Sequence, residues 1–281
     1  MPRWQGLAPL HGWHDTSQMD DRELSEKVAL VTGAGSGIGR AAALRLARSG
    51  ARVGLLGRTA SELEKVAREI EGGGGSAKVL VADVSNPDEV EAAVTRLARE
   101  AGGLHAVFAN AGFNGVWAPI EELANDEWQS TIATNLNGTF FTLKAAVPHL
   151  KRQGGAVVVC ASVNGTRMFS NTGATAYSCS KAAQVAMVKM LAVELGPARV
   201  RINAICPGAI DTEIDDNTEK RHVDRVKPEV EFPEGSIPLT RGKPGKAEQV
   251  AELVLFLLSE RASHITGSEV WIDGGQSLVE G

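Results

Sequence analysis

The stretch KVALVTGAGSGIGRAAALRLARSGARVGLLGR, residues 27–58, decides the fold. It opens on VALVT, a continuous apolar and β-branched run. Such a run, bounded by turn residues, predicts a short strand buried on both faces. Glycines follow, then GRAAALRLARSG, of helical length and rich in Ala, Leu and Arg, then a second apolar run, RVGLL. Strands without alternation, joined by a helix, point to a parallel sheet covered by helices. The turn itself, TGAGSGIG, runs from Thr32 to Gly39. Glycines between a strand and a helix let backbone amides approach a pyrophosphate, and the helix N-terminus adds partial positive charge. A plain tight turn would use the same residues. The spacing is T-G-x-x-x-G-x-G rather than G-x-G-x-x-G.

The same rhythm continues outward. AKVLVAD, LHAVFAN, AVVVCAS, VRINAIC and SEVWID read as further strands, and ASELEKVAREIE and PDEVEAAVTRLAREA as helices. About seven strands alternating with helices predict an α/β fold, a doubly wound parallel sheet with helices on both faces. GGGG at 72–75 reads as a flexible turn between a helix and a strand. Residues 1–24 show no sustained period and are expected to form a poorly ordered arm. Residues 25–281 then make one catalytic domain. The rhythm breaks over about 211–245; residues 213–234 hold eight acidic side chains and four Lys or Arg, too polar for core. That segment is expected to be an insertion over the site, a substrate lid.

Composition narrows the class. Of 281 residues, 43% are hydrophobic and 22% charged, which suits a soluble globular protein with a substantial core. A net charge of −5 without a Lys/Arg block argues against nucleic acid. Cys160, Cys179 and Cys206 fit no metal or disulfide spacing, so buried, reduced thiols are expected and no metal site. No apolar run reaches membrane-spanning length and no signal-peptide core is present, so a cytoplasmic protein is expected.

The chemistry-bearing residues cluster at strand ends, where ligands bind in open α/β sheets. Asp83, before Val84, could accept from an adenine amino group or cap its own loop. Asn110, ahead of Ala111 and Gly112, could tie strand ends together while Gly112 leaves room for a ribose, or form a polar turn. Ser162 ends AVVVCAS, as a turn former or as a hydroxyl facing a ligand. CPGAIDT places Pro207, Gly208, Ile210 and Thr212 at another strand end. Tyr177 is the only tyrosine, and Lys181 follows one helical turn later on the same face. A neighbouring ammonium stabilises a phenolate and lowers the phenol pKa, making a proton-transfer group; an ordinary surface pair is the plainer alternative.

In this order the motifs resemble the single-domain branch of the short-chain dehydrogenase/reductase family, from Lys27 to about Ser277. The resemblance implies a Rossmann-type fold and a nicotinamide cofactor on Gly33, Gly35, Ser36, Gly37, Ile38 and Gly39. It implies hydride exchange between the nicotinamide and a ketone or secondary alcohol. The family's tyrosine and lysine fall on Tyr177 and Lys181, its serine on Ser162, and its helix-borne asparagine on Asn135 in TNLNGTF. Tyr177 would move the proton, Ser162 would hold the same oxygen, Lys181 would hold the ribose, and Asn135 would steady a water leading from Lys181. Family spacing counted strictly would put the serine at Asn164, so the loop before Tyr177 is taken as two residues longer. A homotetramer and a small-molecule carbonyl or alcohol substrate are further implications. Phe113, Trp117, Met168 and Phe169 lean the pocket towards a partly apolar substrate. Two other readings are a dinucleotide-binding regulator without turnover, which loss of the tyrosine or lysine would favour, and a sugar-nucleotide epimerase or dehydratase, which would need other glycine spacing.

An NAD site places an acid about 20 residues beyond the glycine turn. Gly57 stands there, followed by Arg58 and Thr59. A guanidinium binds a 2′-phosphate that an Asp would repel, so NADP is the expected cofactor, with NAD possible on the fold.

Overall fold

The computed structural model describes residues 22–213, 217–227 and 237–280. In chain order it contains β1 Val28–Thr32, α1 Gly37–Arg48, β2 Arg52–Gly57, α2 Ala60–Gly72, β3 Ser76–Val81, α3 Pro87–Ala101, β4 Ala106–Ala109 and β5 Gly115–Trp117. There follow α4 Asn125–Ile132, a π-helical stretch Ala133–Asn137, α5 Gly138–Leu150, β6 Gly155–Cys160, α6 Thr175–Leu195 and β7 Val200–Pro207. The chain closes with β8 Ile210–Asp211, β9 Thr218–Lys220, β10 Gly245–Lys246, α7 Ala247–Leu258 and β11 Glu269–Ile272.

The central sheet has seven strands in the order β11-β7-β6-β4-β1-β2-β3, all pairs parallel. β1 is buried along its whole length, as its unbroken apolar run requires. One face packs on α1, α2 and α7, through Leu46, Leu63 and Leu255 among others. The opposite face packs on α3, α5 and α6, through Val94, Leu143 and Val188. The strand order reverses between β1 and β4, which run side by side with Ala29 opposite Ala106 and Val31 opposite Phe108. Their carboxyl ends leave a crevice, the usual ligand position in such sheets.

Local sequence explains the helix boundaries. Asn86 caps α3 by accepting from Asp88 N at 3.1 Å and Glu89 N at 3.4 Å, Pro87 takes the first turn, and Gly102 ends the helix in the left-handed conformation. α1 approaches β1 so closely that a Cβ on Gly39 would lie 2.0 Å from Gly33 O.

Most of the expected arm, residues 1–21, lies outside the described residues. Its described end is attached to the domain: Leu24 is buried in the core and its amide donates to Ser49 O at 2.9 Å. Residues 214–216 and 228–236 of the expected lid also lie outside the described residues. The described parts are tied down by pairings that the sequence reading did not contain. β8 pairs with β10, and β9 pairs with β5, so Gly115 lies opposite Thr218. Arg221 reinforces the second pair, donating to Glu127 Oε1 at 2.5 Å, Glu219 Oε1 at 2.8 Å and Glu122 O at 3.1 Å.

Candidate active site

The crevice between β1 and β4 widens into a cleft of about 800 Å³. Its floor begins at the glycine turn. Gly33, in the left-handed region at φ 65°, turns the chain out of β1, a conformation that costs other residues a steric penalty. Gly35, Ser36, Gly37 and Ile38 line the cleft, while Gly39 lies beneath, against Gly33. Ser36 caps α1 without a side-chain hydrogen bond, and no acid stands in the first turn. The leading amides of this helix therefore lack a side-chain acceptor and face the same space, as an anion site requires. Thr212 sits over the turn: a Cβ on Gly37 would come within 3.3 Å of it.

The next strand ends complete this half. Thr32 Oγ1 accepts from Asn110 N at 3.0 Å and Ala111 N at 3.1 Å, and Asn110 Nδ2 donates to Thr32 O at 3.1 Å. Asn110 thus ties β1 to β4 and leaves Gly112 open on the cleft. A Cβ on Gly112 would meet Asn135 Oδ1 at 3.1 Å and Lys181 Nζ at 3.5 Å, so only glycine leaves this surface free. Arg58, Thr59, Val84, Pro207, Gly208 and Ile210 line the remaining walls. Arg58 makes no hydrogen bond or ion pair among the described residues. Asp83 is turned to its own loop: Oδ1 accepts from Ser85 N at 2.9 Å and Ser85 Oγ at 2.8 Å. Burial pushes its carboxyl up, but the Ser85 hydrogen bonds and the Arg58 charge outweigh it and leave the pKa below the usual value. An open glycine floor, free helix amides and a guanidinium without a hydrogen bond among the described residues fit a dinucleotide.

α6 brings Tyr177 and Lys181 to the other half of the cleft, one turn apart and both buried. Ser162, two residues beyond β6, stands close enough to the Tyr177 phenol to lower its pKa. The serine that faces the tyrosine is therefore Ser162, while Asn164, two residues on, donates its amide to Ser162 Oγ at 3.1 Å.

The electrostatics differ from the sequence expectation. Burial pushes the Tyr177 phenol above its ordinary range, and the neighbouring Ser162 hydroxyl opposes this only in part. Lys181 does not lower it here. Its ammonium lies 5.5 Å from the ring centroid and donates instead to Cys160 O at 2.7 Å. Burial also lowers the lysine pKa. The phenol keeps its proton at neutral pH, as an ordinary phenol does, and burial makes it a weaker acid than usual.

Asn135 lies in the π-helical stretch, a local irregularity common at functional sites. Its carboxamide is engaged by protein: Oδ1 accepts from Phe113 N at 3.0 Å, and Nδ2 donates to Phe113 O at 3.0 Å and Ser180 Oγ at 3.1 Å. Its main-chain oxygen accepts from Gln184 Nε2 at 2.7 Å. In this structure Asn135 fixes the loop after β4 against α6. Ser180 and Gln184, which share that task, carried no signal in sequence beyond helical spacing from Tyr177.

Of the expected pocket side chains, Phe113, Trp117 and Met168 line the cleft. Phe169 does not; it is 69% exposed, because the loop residues around it alternate in direction. Cys160 and Cys206 are buried, but Cys179 is exposed on α6, contrary to the expectation for all three thiols. Glu62 was not anticipated. It lines the cleft from the first turn of α2, and a Cβ on Gly35 would come 2.8 Å from its Oε2.

Residues 33–277 match the family model described as Enoyl-(Acyl carrier protein) reductase. The levodione reductase of Leifsonia aquatica is 38% identical over 258 residues, covering 91% of this chain and 96% of the relative. A 3-ketoacyl-ACP reductase structure from Sinorhizobium meliloti 1021 is 59% identical with a TM-score of 0.87, covering 89% of this chain and 99% of that one. Two further structures hold cofactor. One, a 3-oxoacyl-[acyl-carrier protein] reductase from Brucella melitensis with NAD, is 32% identical (TM-score 0.78, covering 92% of this chain and 94% of that one). The other, a short chain dehydrogenase from Burkholderia cenocepacia J2315 with NADP, is 33% identical (TM-score 0.79, covering 90% and 99%). Likeness of this degree, running almost end to end in both directions, has one reading: the chain belongs to the short-chain dehydrogenase/reductase family, and is an NAD(P)-dependent oxidoreductase of alcohol and carbonyl groups.

Proposed function

We propose that the protein reduces a small ketone with NADPH, Tyr177 giving the proton. The observation that carries this is the buried Tyr177–Ser162 pair at the end of β6. Two hydroxyls there can grip one carbonyl oxygen, Ser162 polarising it while Tyr177 donates its proton. Lys181, fixed on Cys160 O beside the open surface of Gly112, is placed to hold the nicotinamide ribose. Asn135 holds Phe113 and so keeps that wall of the site in position. When bound, the nicotinamide supplies the hydride. The pairing predicts ketone-dependent NADPH oxidation by the purified protein. Tight cofactor binding without turnover of any ketone would instead favour a regulator.

NADPH is preferred in this reading because Gly57 stands where an NAD site carries an acid, Arg58 and Thr59 follow it, and the Arg58 guanidinium makes no hydrogen bond or ion pair among the described residues. NAD(H) is the second reading, and Glu62 favours it: a carboxylate beside Gly35 repels a 2′-phosphate. Under the NADPH reading, Arg58 outweighs Glu62.

Segment 211–245 is proposed to cover the ligands. Asp211, Thr212, Glu213 and Asn217 border the cleft, while β9 and Arg221 hold the base of the segment still. Amide hydrogen exchange at 211–213 and 217 should slow when cofactor and ketone bind, with 218–221 unchanged. Equal protection in the free and ternary forms would sink the lid.

The assembly proposed is a homotetramer, in the cytoplasm. Phe140 on α5, Met190 and Val193 on α6 and Leu278 near the C-terminus are exposed apolar side chains, with Val193 81% accessible. Light scattering should give about four times the chain mass at micromolar concentration, and a monomer there would contradict the proposal.

A further inference from the structure

The substrate end of the cleft is lined by carboxamides as well as by rings. Asn114, Asn164 and Asn171 all border it. Asn164 stands two residues beyond Ser162 and is fixed there by its own amide, which donates to Ser162 Oγ. Its Oδ1 accepts from Asn171 Nδ2 at 2.9 Å. That bond leaves Asn164 Nδ2, a donor, and Asn171 Oδ1, an acceptor, without partners among the described residues. Asn114 Nδ2 donates to Thr218 Oγ1 at 2.7 Å, leaving Asn114 Oδ1 as a second acceptor. Asn114 and Asn164 are 7% and 9% exposed, so what these free atoms face is the cleft rather than bulk water. Trp117 adds an indole N–H that is buried without an acceptor among the described residues.

Donors and acceptors set side by side match hydroxyl groups, since a hydroxyl both donates and accepts. A methylene chain would strip water from these groups and return nothing, leaving buried polar atoms unpaired. Charge narrows the class further. The described cations lining the cleft are Arg58, on the cofactor side, and Lys181, engaged with Cys160 O. Glu62, Asp211 and Glu213 line it with the opposite sign. Among the described residues no other cation lines the cleft, and Lys220 is held over the Trp117 ring with Nζ 5.3 Å from its centroid. Phe113 and Met168 offer apolar surface for the C–H faces of a small molecule.

We infer that the substrate is a neutral hydroxylated ketone, of the ketose or polyol type, whose hydroxyls beside the reacting carbon are read by Asn164, Asn171 and Asn114. This rests on the ketone-reductase reading above and narrows its substrate class. The reaction balances as for any ketone: hydride from NAD(P)H goes to the carbonyl carbon, the Tyr177 proton goes to its oxygen, and NAD(P)⁺ and the polyol leave.

The test compares erythrulose with butanone, which share a four-carbon skeleton and differ in hydroxyls, and adds acetoacetyl-coenzyme A as an anionic thioester. With the cofactor-loaded wild type, kcat/KM for erythrulose should exceed that for butanone by about 100-fold. Asn164→Leu and Asn171→Leu should each lower that ratio by about tenfold, with cofactor Kd reporting that the variants are folded; Asn164→Asp, which replaces donor by acceptor, should also lower it. Butanone or the thioester turning over as well as erythrulose would overturn the inference and leave the oxidoreductase reading standing. A preference for erythrulose that survives all three variants would overturn the assignment to these residues. Turnover of none of the three with cofactor bound would overturn both readings.

Discussion

Tyr177→Phe should lower kcat by about 100-fold or more while leaving cofactor affinity within a few-fold of wild type, since positioned proton transfer contributes that much to rate. Tyr177 is the only phenol in the chain, and among the described residues no carboxylic acid bonds Ser162 Oγ, which accepts from Asn164 N. Removing the hydroxyl leaves a carbonyl oxygen with one partner and no proton. The ring remains, so the packing of a residue only 7% exposed is kept and the fold should not suffer. Lys181→Ala separates the two roles: it should weaken cofactor binding as well as turnover, because Nζ borders the open face of Gly112. Single-turnover kinetics with a saturating ketone is the measurement. Near-normal turnover in Tyr177→Phe would refute the proton-transfer role.

The second large effect concerns cofactor choice. Wild type should use NADPH with the higher kcat/KM, and Gly57→Asp/Arg58→Ala should shift the NADPH-to-NADH ratio towards NADH by about 100-fold. Removing the guanidinium deletes a charge-assisted contact to the 2′-phosphate, and the new carboxylate repels that phosphate while accepting from a 2′-hydroxyl. The site has room. A Cβ on Gly57 would stand 3.3 Å from the Leu63 Cδ2 methyl, the flexible end of a side chain. Glu62→Gln acts in the opposite sense: it removes a negative charge beside Gly35 and should raise NADPH use over wild type. Wild type favouring NADH, or a ratio unmoved in the double variant, would establish the NAD reading.

How much of this was legible in sequence depended on the range of the interactions. The seven sheet strands, the glycine turn and the helices over 60–71 and 87–101 follow from burial period and local turn chemistry. Those signals are written into consecutive residues, and VALVT has no amphipathic alternative that would confuse them. The convergence of Ser162, Tyr177, Lys181 and the glycine turn was also readable, because a parallel α/β sheet puts every strand's carboxyl end on one edge. What escaped the sequence lies in loops that have no period and depend on distant partners. β5 meets β9 across about a hundred residues, and Arg221 finds Glu127 over a similar span. Phe169 turns outward and Cys179 sits on the open face of α6, although their residue types suggest burial.

The same division holds inside the site. Sequence placed Lys181 on the same helical face as Tyr177. Only tertiary structure decided that its ammonium would bond Cys160 O and leave burial in control of the phenol. Sequence put a glycine where an NAD site needs an acid and an arginine next to it, but Glu62 lines the same cleft from the next helix, and its distance to Gly35 exists only after folding. The amides of Asn114, Asn164 and Asn171 have unremarkable loop contexts as letters. They line one cleft because the loops after β4 and β6 converge there. The amino-acid order by itself determined the architecture, since period and turn chemistry are local, and carried the motifs whose resemblance to the family implied the reaction class. The acidity of Tyr177 and the surface offered to the substrate were decided by the tertiary structure, since burial and hydrogen-bond partners are properties of residues brought together from far apart.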